Sequence, residues 1–584
     1  MNELGETVAG GARGVKRSRA GTSMLLAVIC IVSLAPFAAK AYHIDDTLFL
    51  KLAKQIQQHP LDFFGFQVNW HFTPEPMAQI TRNPPLWGYA LAVAAGVLGF
   101  GEIGLHFFAM VPAVFALWGT YRLAERCTAH PLFAAITTLF MPAFLVSSTS
   151  LMCDTPMLAL WMWSLVLWIE GLDEGSSAKL VCSGVLIGLC ALTKYFGISL
   201  VPLLLVYTLA ARRHVSMALA ALLIPISMFG AYLAVTYKLY GQNLLYDALT
   251  FARDVQMRSA SYVSLWWRLL AGLSFLGGSA LGLAFFAPLF LKSRSLVYFA
   301  LSIAPVAWLI YLFSPSIDIY RAITAERTRL IVLAHQGVFA TIGFGVLALA
   351  GADLWRRRDP IALLLALWVL GVYVFTAAIN WTANVRSILP AVPAVAILIA
   401  RAIERAEVGL PTAKVAVPVF ATAVIAFAVA YADERLAGAS RTGAEKALTL
   451  LSGRPGRIWF EGHWGFQYYM EQGGATALDR HKTDEIRKGD YAVIPMENAD
   501  VSDVSAGQFQ ELSVFNIEAC PWCGTQDRRV GAGFYASGDG PAPFVFAYVP
   551  PQDFKVYERI SVQNPRDGAV SSGPGEPVKP AREP

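Results

Sequence analysis

Two adjacent carboxylates stand where the first long apolar run of this chain ends. The run is Met24 to Ala39, and the acids lie in His43-Ile-Asp-Asp-Thr-Leu-Phe49. Charge held at a membrane surface is costly unless it binds or reacts with something. Asp45 and Asp46 are therefore the first candidates for chemistry, although an aspartate there also suits a helix cap. A third acid, Asp154, lies in Ser150-Leu-Met-Cys-Asp-Thr-Pro156, a short connection between two apolar runs. Its simplest role is again a cap, with Pro156 just inside the next helix. Lys194, in Leu192-Thr-Lys-Tyr-Phe196, is either a snorkelling lysine or a ligand for phosphate. Arg386, in Asn384-Val-Arg-Ser-Ile-Leu-Pro390, is a topological anchor or a second phosphate ligand. Arg253 and Arg258 are candidate phosphate ligands beside them, and Arg321, Arg327 and Arg329 are further cations expected on the same side, with solvation the simpler explanation for each.

The elements that position these residues are membrane helices. The chain has 584 residues, 56% hydrophobic and only 15% charged, where a soluble domain carries about 25% charge. Apolar runs near the 20 residues needed to span a bilayer lie at 24–40, 104–122, 131–150, 155–170, 180–193, 196–211, 215–237, 268–291, 296–313, 330–351, 360–379, 387–404 and 412–431. The fold expected is an all-α polytopic membrane protein of about thirteen transmembrane helices. The segment 84–98 is also apolar, but short and rich in glycine. If it spans, Arg122 and Arg126 fall outside. If it lies flat at the outer surface, 122–126, 212–214, Lys292 with Arg294, 356–358 and Arg401 with Arg405 all fall inside. The positive-inside rule selects the second arrangement.

That topology gives a cytoplasmic tail at 1–23, a membrane module at 24–431 with a long first outer loop at 41–103, and an outer region from 432. In this last region Arg457 to Phe460, Tyr491 to Ile494 and Phe544 to Val549 read as strands, and Trp464 to Glu471 as a helix. A small α/β domain is expected over 432–564, with a disordered tail rich in Pro, Gly and Ser at 565–584. Cys520 and Cys523 form the one cysteine pattern, a redox pair, zinc half-site or local disulfide, of which the disulfide is the plainest. No cofactor is indicated. A metal would have to use His71 and Glu75 with Asp45, and no zinc-type spacing is present. There is no Walker A loop, and the net charge of +5 belongs to the loops, so nucleic acid is not an indicated partner.

Cations for a leaving phosphate, a carboxylate for an acceptor hydroxyl and a cavity in the membrane fit group transfer from a lipid phosphate. Five short motifs support this. They are Ile44-Asp-Asp-Thr-Leu-Phe, Arg82-Asn-Pro-Pro-Leu-Trp-Gly-Tyr, Cys153-Asp-Thr-Pro-Met-Leu, Leu192-Thr-Lys-Tyr-Phe-Gly and Arg386-Ser-Ile-Leu-Pro-Ala-Val-Pro. In order and spacing over 24–405 the chain resembles the polyprenyl-phosphate-dependent membrane glycosyltransferases of the GT-C fold. It is similar within that class to bacterial relatives of protein O-mannosyltransferases and of the lipid A aminoarabinose transferase.

The resemblance implies a sugar donor on polyprenyl phosphate and a lipid, glycan or protein acceptor. It implies Asp45 as general base, Asp154 as a positioning acid, Lys194 and Arg386 as phosphate ligands, and 84–98 as an interfacial helix. Relatives often carry Asp-Glu where this chain has Asp45-Asp46, which sets Asp46 apart. The reading is an inverting glycosyltransferase of a bacterial inner membrane with its site on the periplasmic side. A transporter or lipid flippase, with the carboxylates as ion sites, is the alternative, and a silent assembly factor a further one.

Overall fold

The structure is a computed structural model that describes residues 20–81, 83–260, 265–314, 318–408, 413–499, 501–502 and 508–560. The expected tail at 565–584 and most of the segment 1–23 lie outside the described residues.

The protein is a mostly helical, multi-pass membrane protein. Nine described helices are long and apolar enough to cross a bilayer, or ten if Leu265–Ser279 and Gly282–Phe290, bent by 77°, count as one span. The other three expected spans are shorter helices. Ser177–Thr193 and Tyr195–Ala211 stay whole, but 131–150 breaks into Pro131–Phe140 and Pro142–Ser147. Pro142 drives the break, since a proline pushes the residue before it out of the helical region, and Met141 is extended with ψ 134°.

Ion pairs gather the basic loops at one end of the bundle. Arg122 pairs with Glu170 at 2.8 Å, Arg126 and Arg213 with Asp173, and Lys179 bridges Glu170 and Glu174. Arg401 and Arg405 each reach Asp353 at 3.2 Å, and Thr128 joins the two groups by donating to Glu404 at 2.8 Å. The charge pattern used to choose the topology is thus a spatial cluster. At the other end, Leu86–Leu98 has 13 residues. That is about 20 Å of helix, against about 30 Å of hydrocarbon. It packs along Asp46–Gln58, where a Cβ on Gly88 would come within 2.5 Å of Leu52. The indole of Trp87 donates to the Leu151 carbonyl.

The boundary expected at 432 falls inside one continuous helix, Ala413–Leu451, of 39 residues. At 1.5 Å per residue it runs about 58 Å, roughly twice the hydrocarbon thickness. Its outer half carries the sheet region. A five-stranded sheet is built from β3 (Ile458–Phe460), β4 (Thr476–Ala477), β5 (Tyr491–Pro495), β6 (Phe509–Ile517) and β9 (Gln552–Arg559), in the order β4-β3-β5-β9-β6. The first three strands run parallel and β9 and β6 antiparallel to their neighbours. A small ribbon in the first loop pairs β1 (Gln67–Asn69) with β2 (Pro74–Pro76), and β7 (Gln526–Asp527) pairs with β8 (Ala532–Gly533). Helix Trp464–Gln472 covers the sheet as expected. Gly443 lets the long helix approach, because a Cβ there would meet the Phe554 ring at 2.2 Å. Ala444, Ala447, Phe460, Phe466, Val493 and Val556 form the core beneath.

Two expectations for this region fail. Phe544 to Val549 is not a strand, and makes only the isolated bridge Gly524 to Val545. Prolines at 543, 550 and 551 withhold the N–H groups a ladder needs. Its rings face the bundle instead, with Phe544 5.0 Å from Phe339. Cys520 and Cys523 are buried free thiols with no disulfide between them. They belong, with Phe534, Tyr535 and Val545, to the same core as the membrane helices. Residues 518–551 are therefore an arm laid onto the bundle rather than part of the sheet domain.

Candidate active site

The two acids of the opening motif part company in the structure. The chain turns tightly into Asp46–Gln58, with Asp45 as the cap residue. Ile44 just before it has φ +47°, a strained conformation for a β-branched side chain. Successive helical residues point about 100° apart, so only one acid can face the cavity. It is Asp45, whose Oδ2 accepts from Arg386 Nη1 at 2.7 Å. Asp46 turns inward and is fully buried. Its carboxylate accepts the N–H of His43 at 3.1 Å and of Leu151 at 2.8 Å, clamping the first outer loop to the second. Burial pushes its pKa up to about 7, against the pull of Lys40 and these two N–H groups. Asp46 lies off the cavity wall, so its expected catalytic place gives way to that of a brace.

Asp154 opens the helix Asp154–Glu174, where the helix dipole favours a carboxylate. Lys194 Nζ lies 2.5 Å from its Oδ1. Lys194 ends Ser177–Thr193 in an extended conformation, followed by a tight turn at Tyr195–Ser199. Gly197 makes that turn possible, since a Cβ there would sit 2.5 Å from the Cys190 backbone. Arg386 lies in the first turn of Val385–Ile388, capped by Asn384, whose side chain accepts from Ser387 N–H. Asp45, Asp154, Lys194 and Arg386 all line one cavity of about 1020 Å³. Its deeper walls are apolar, with Trp161, Phe196, Leu203, Trp368 and Phe375. Val206 and Leu249 also line it and are 39% and 54% exposed. The cavity is thus open sideways between Leu200–Ala211 and Leu244–Ala260.

The other expected cations are elsewhere. Arg253 is exposed on Leu244–Ala260 and does not line the cavity. It stands next to Phe251 and Ala252, which do, so it is the helix rotation that turns it away. The side chain of Arg258 and all of Arg82 lie outside the described residues, although Thr81 and Asn83 line the cavity. Arg321, Arg327 and Arg329 do not line it. His71 does, whereas Glu75 sits on β2 away from it. Among the described residues no group of three or more His, Cys, Asp or Glu is placed to hold a metal ion.

Sequence reading missed a buried polar cluster behind Asp45. Lys40 Nζ lies 2.6 Å from Asp433 Oδ2, and both side chains are fully buried. Lys40 also donates to Thr149 at 3.1 Å. Thr525 and Tyr535 donate to the same aspartate at 3.0 and 2.8 Å. The available signal was positional: Lys40 follows the first apolar run and Asp433 follows the last, both at the outer ends.

The profile of the dolichyl-phosphate-mannose-protein mannosyltransferase family matches residues 82–236. The chain resembles the GT-C membrane glycosyltransferases. The matched stretch holds Asp154 and Lys194 together with the short apolar helix Leu86–Leu98. No curated protein matches the chain. Among solved structures, an oligosaccharyltransferase of Archaeoglobus fulgidus, in complex with Zn and sulfate, is 12% identical. The match covers 81% of this chain and 68% of that one with a TM-score of 0.45. ArnT from Cupriavidus metallidurans bound to undecaprenyl phosphate is 15% identical, covering 83% of this chain and 94% of that one with a TM-score of 0.39.

Proposed function

We propose that this protein transfers a sugar from a polyprenyl-phosphate donor to a hydroxyl of a lipid, glycan or protein acceptor. The reaction takes place on the periplasmic side of a bacterial inner membrane. The observation that carries the reading is the meeting of two acids and two cations at the polar end of a cavity that is apolar below and open to the side. A polyprenyl tail fits the apolar part, and its phosphate meets Lys194 and Arg386. The positive-inside rule supports the side, since the clustered basic loops lie at the far end of the bundle.

The pairing suggests how the groups work. Each cation is neutralised by a carboxylate, Arg386 by Asp45 and Lys194 by Asp154. A donor phosphate competes for the cations, and arginine suits it with a planar fork of donors. Drawing Arg386 toward phosphate leaves Asp45 free to accept a proton. The acceptor oxygen attacks the anomeric carbon, its proton passes to Asp45, and the bond to the phosphate oxygen breaks. The electron pair leaves on polyprenyl phosphate, where Lys194 and Arg386 stabilise it. Displacement in one step inverts the anomeric centre.

The test is Asp45→Asn in the native host. Mass spectra of envelope lipids and glycans are compared for cells with the wild-type chain, with the variant and with no copy. Loss of a general base lowers the rate by about 100-fold or more, so the sugar-modified species missing without the gene should also be missing with the variant. Full modification by the variant would remove Asp45 from the base position.

A further inference from the structure

The arm 518–551 lines the cavity with Gln526, Arg528, Ala536, Gly538 and Asp539 and with one aromatic residue, Tyr535. Tyr535 lines it beside Arg386, with its ring centre 5.5 Å from the guanidinium carbon. The two are held side by side by their backbones, because Val385 N–H donates to the Phe534 carbonyl at 3.0 Å. Ser537 repeats the attachment, its backbone N–H shared between the Ala383 carbonyl at 2.8 Å and the Thr382 hydroxyl oxygen at 2.9 Å. The ring is fixed in turn. Its hydroxyl donates to Asp433, which Lys40 and Thr525 also hold, and its N–H donates to Gln526 at 2.9 Å. Tyr535 is buried. Burial and Asp433 raise its pKa well above the ordinary tyrosine value, so the ring stays neutral and acts on Arg386 through its face.

We propose that Tyr535 is a positioning residue for Arg386, by which the C-terminal arm completes the phosphate-binding end of the cavity. The inference rests on reading Arg386 as a phosphate ligand. An arginine side chain has many rotamers and gives up that freedom when it binds. A neutral aromatic face against the guanidinium attracts the cation and confines it. With the hydroxyl anchored to a buried ion pair, the face is held in place before any ligand arrives. The arrangement also explains why so many hydrogen bonds join a region outside the bilayer to 382–385, the turn that presents Arg386.

The test uses the purified full-length chain in detergent, titrated with undecaprenyl phosphate and separately with undecaprenol. Tryptophan fluorescence reports binding through Trp161, Trp368 and Trp381, which line the cavity. The ratio of the two affinities isolates the contribution of the cations, and a general loss of structure lowers both affinities without changing it. Wild type should favour the phosphate, and Arg386→Gln should lose most of that preference. Tyr535→Phe removes the anchor and keeps the face, so the ratio should fall about threefold. Tyr535→Leu removes both and should lower it about tenfold. Should the leucine variant fail to fold, the phenylalanine variant decides alone. If Arg386→Gln loses the preference while the Tyr535 variants keep the wild-type ratio, Tyr535 does not position Arg386. If wild type shows no preference, or Arg386→Gln keeps it, the phosphate reading itself falls.

Discussion

Replacing Lys40 and Asp433 one at a time should cost more, when the two losses are summed, than replacing both together. Both side chains are fully buried and lie 2.6 Å apart, and removing one member of a buried pair costs about 3 to 5 kcal/mol because the other charge is left uncompensated. Lys40→Met should fall near 3 kcal/mol on that scale, since Asp433 keeps Tyr535 and Thr525 as donors. Asp433→Leu should fall near 5 kcal/mol, because it strands an ammonium and two hydroxyls together. The double variant leaves no buried charge, only hydroxyls short of a partner at about 1 to 3 kcal/mol each. The singles should therefore exceed the double by at least about 2 kcal/mol when summed. The assay is unfolding of the detergent-solubilised chain by SDS, followed by tryptophan fluorescence for all four proteins. Strictly additive losses, or a Lys40→Met variant as stable as wild type, would refute the coupling.

Three further outcomes follow from the site. Asp46 has a folded pKa near 7, above the usual carboxylate value of 3.8, so the folded state holds the extra proton between them. Its contribution to stability is present below pH 3.8 and is lost as pH rises toward 7. Melting temperatures from pH 4 to 8 should show Asp46→Asn gaining on wild type as pH rises, and a constant difference would sink the assignment. Gly197→Ala places a Cβ against the Cys190 backbone, so it should cost about 1 to 3 kcal/mol and weaken undecaprenyl phosphate more than undecaprenol by displacing Lys194. Equal weakening of both probes would show that the turn does not set the lysine. Arg253→Gln should leave the affinity for undecaprenyl phosphate within about twofold of wild type, because the side chain is exposed and off the cavity. A tenfold loss would return it to the list of ligands.

The parts of the site that could be read in advance are those fixed by local rules. Asp45, Asp154, Lys194 and Arg386 each sit at a helix end, and helix ends follow from apolar length. The short helix at 84–98 was set apart by loop charges, most of which pair in an ionic cluster linked through Thr128 and Glu404. What escaped depends on distant contacts. Nothing near Asp46 says that its partner is the N–H of Leu151. Rotation about a helix axis separates Arg253 from Phe251, and the exact phase of a short helix is not visible in composition. The arm was misread most, because its aromatic run suits a strand and its true partners, Phe339 and His335, lie some 200 residues earlier.

The long helix Ala413–Leu451 also sets an order of events in time. Lys40 enters the membrane with the first span, whereas Asp433 comes with the long helix Ala413–Leu451 and Tyr535 lies 102 residues beyond Asp433. Until they arrive, the ammonium lacks its counter-charge and Arg386 lacks the ring beside it. A nascent or truncated chain can thus contain Asp45, Asp154, Lys194 and Arg386 and still hold them loosely. Firm placement of Arg386 would then begin only once the arm has docked.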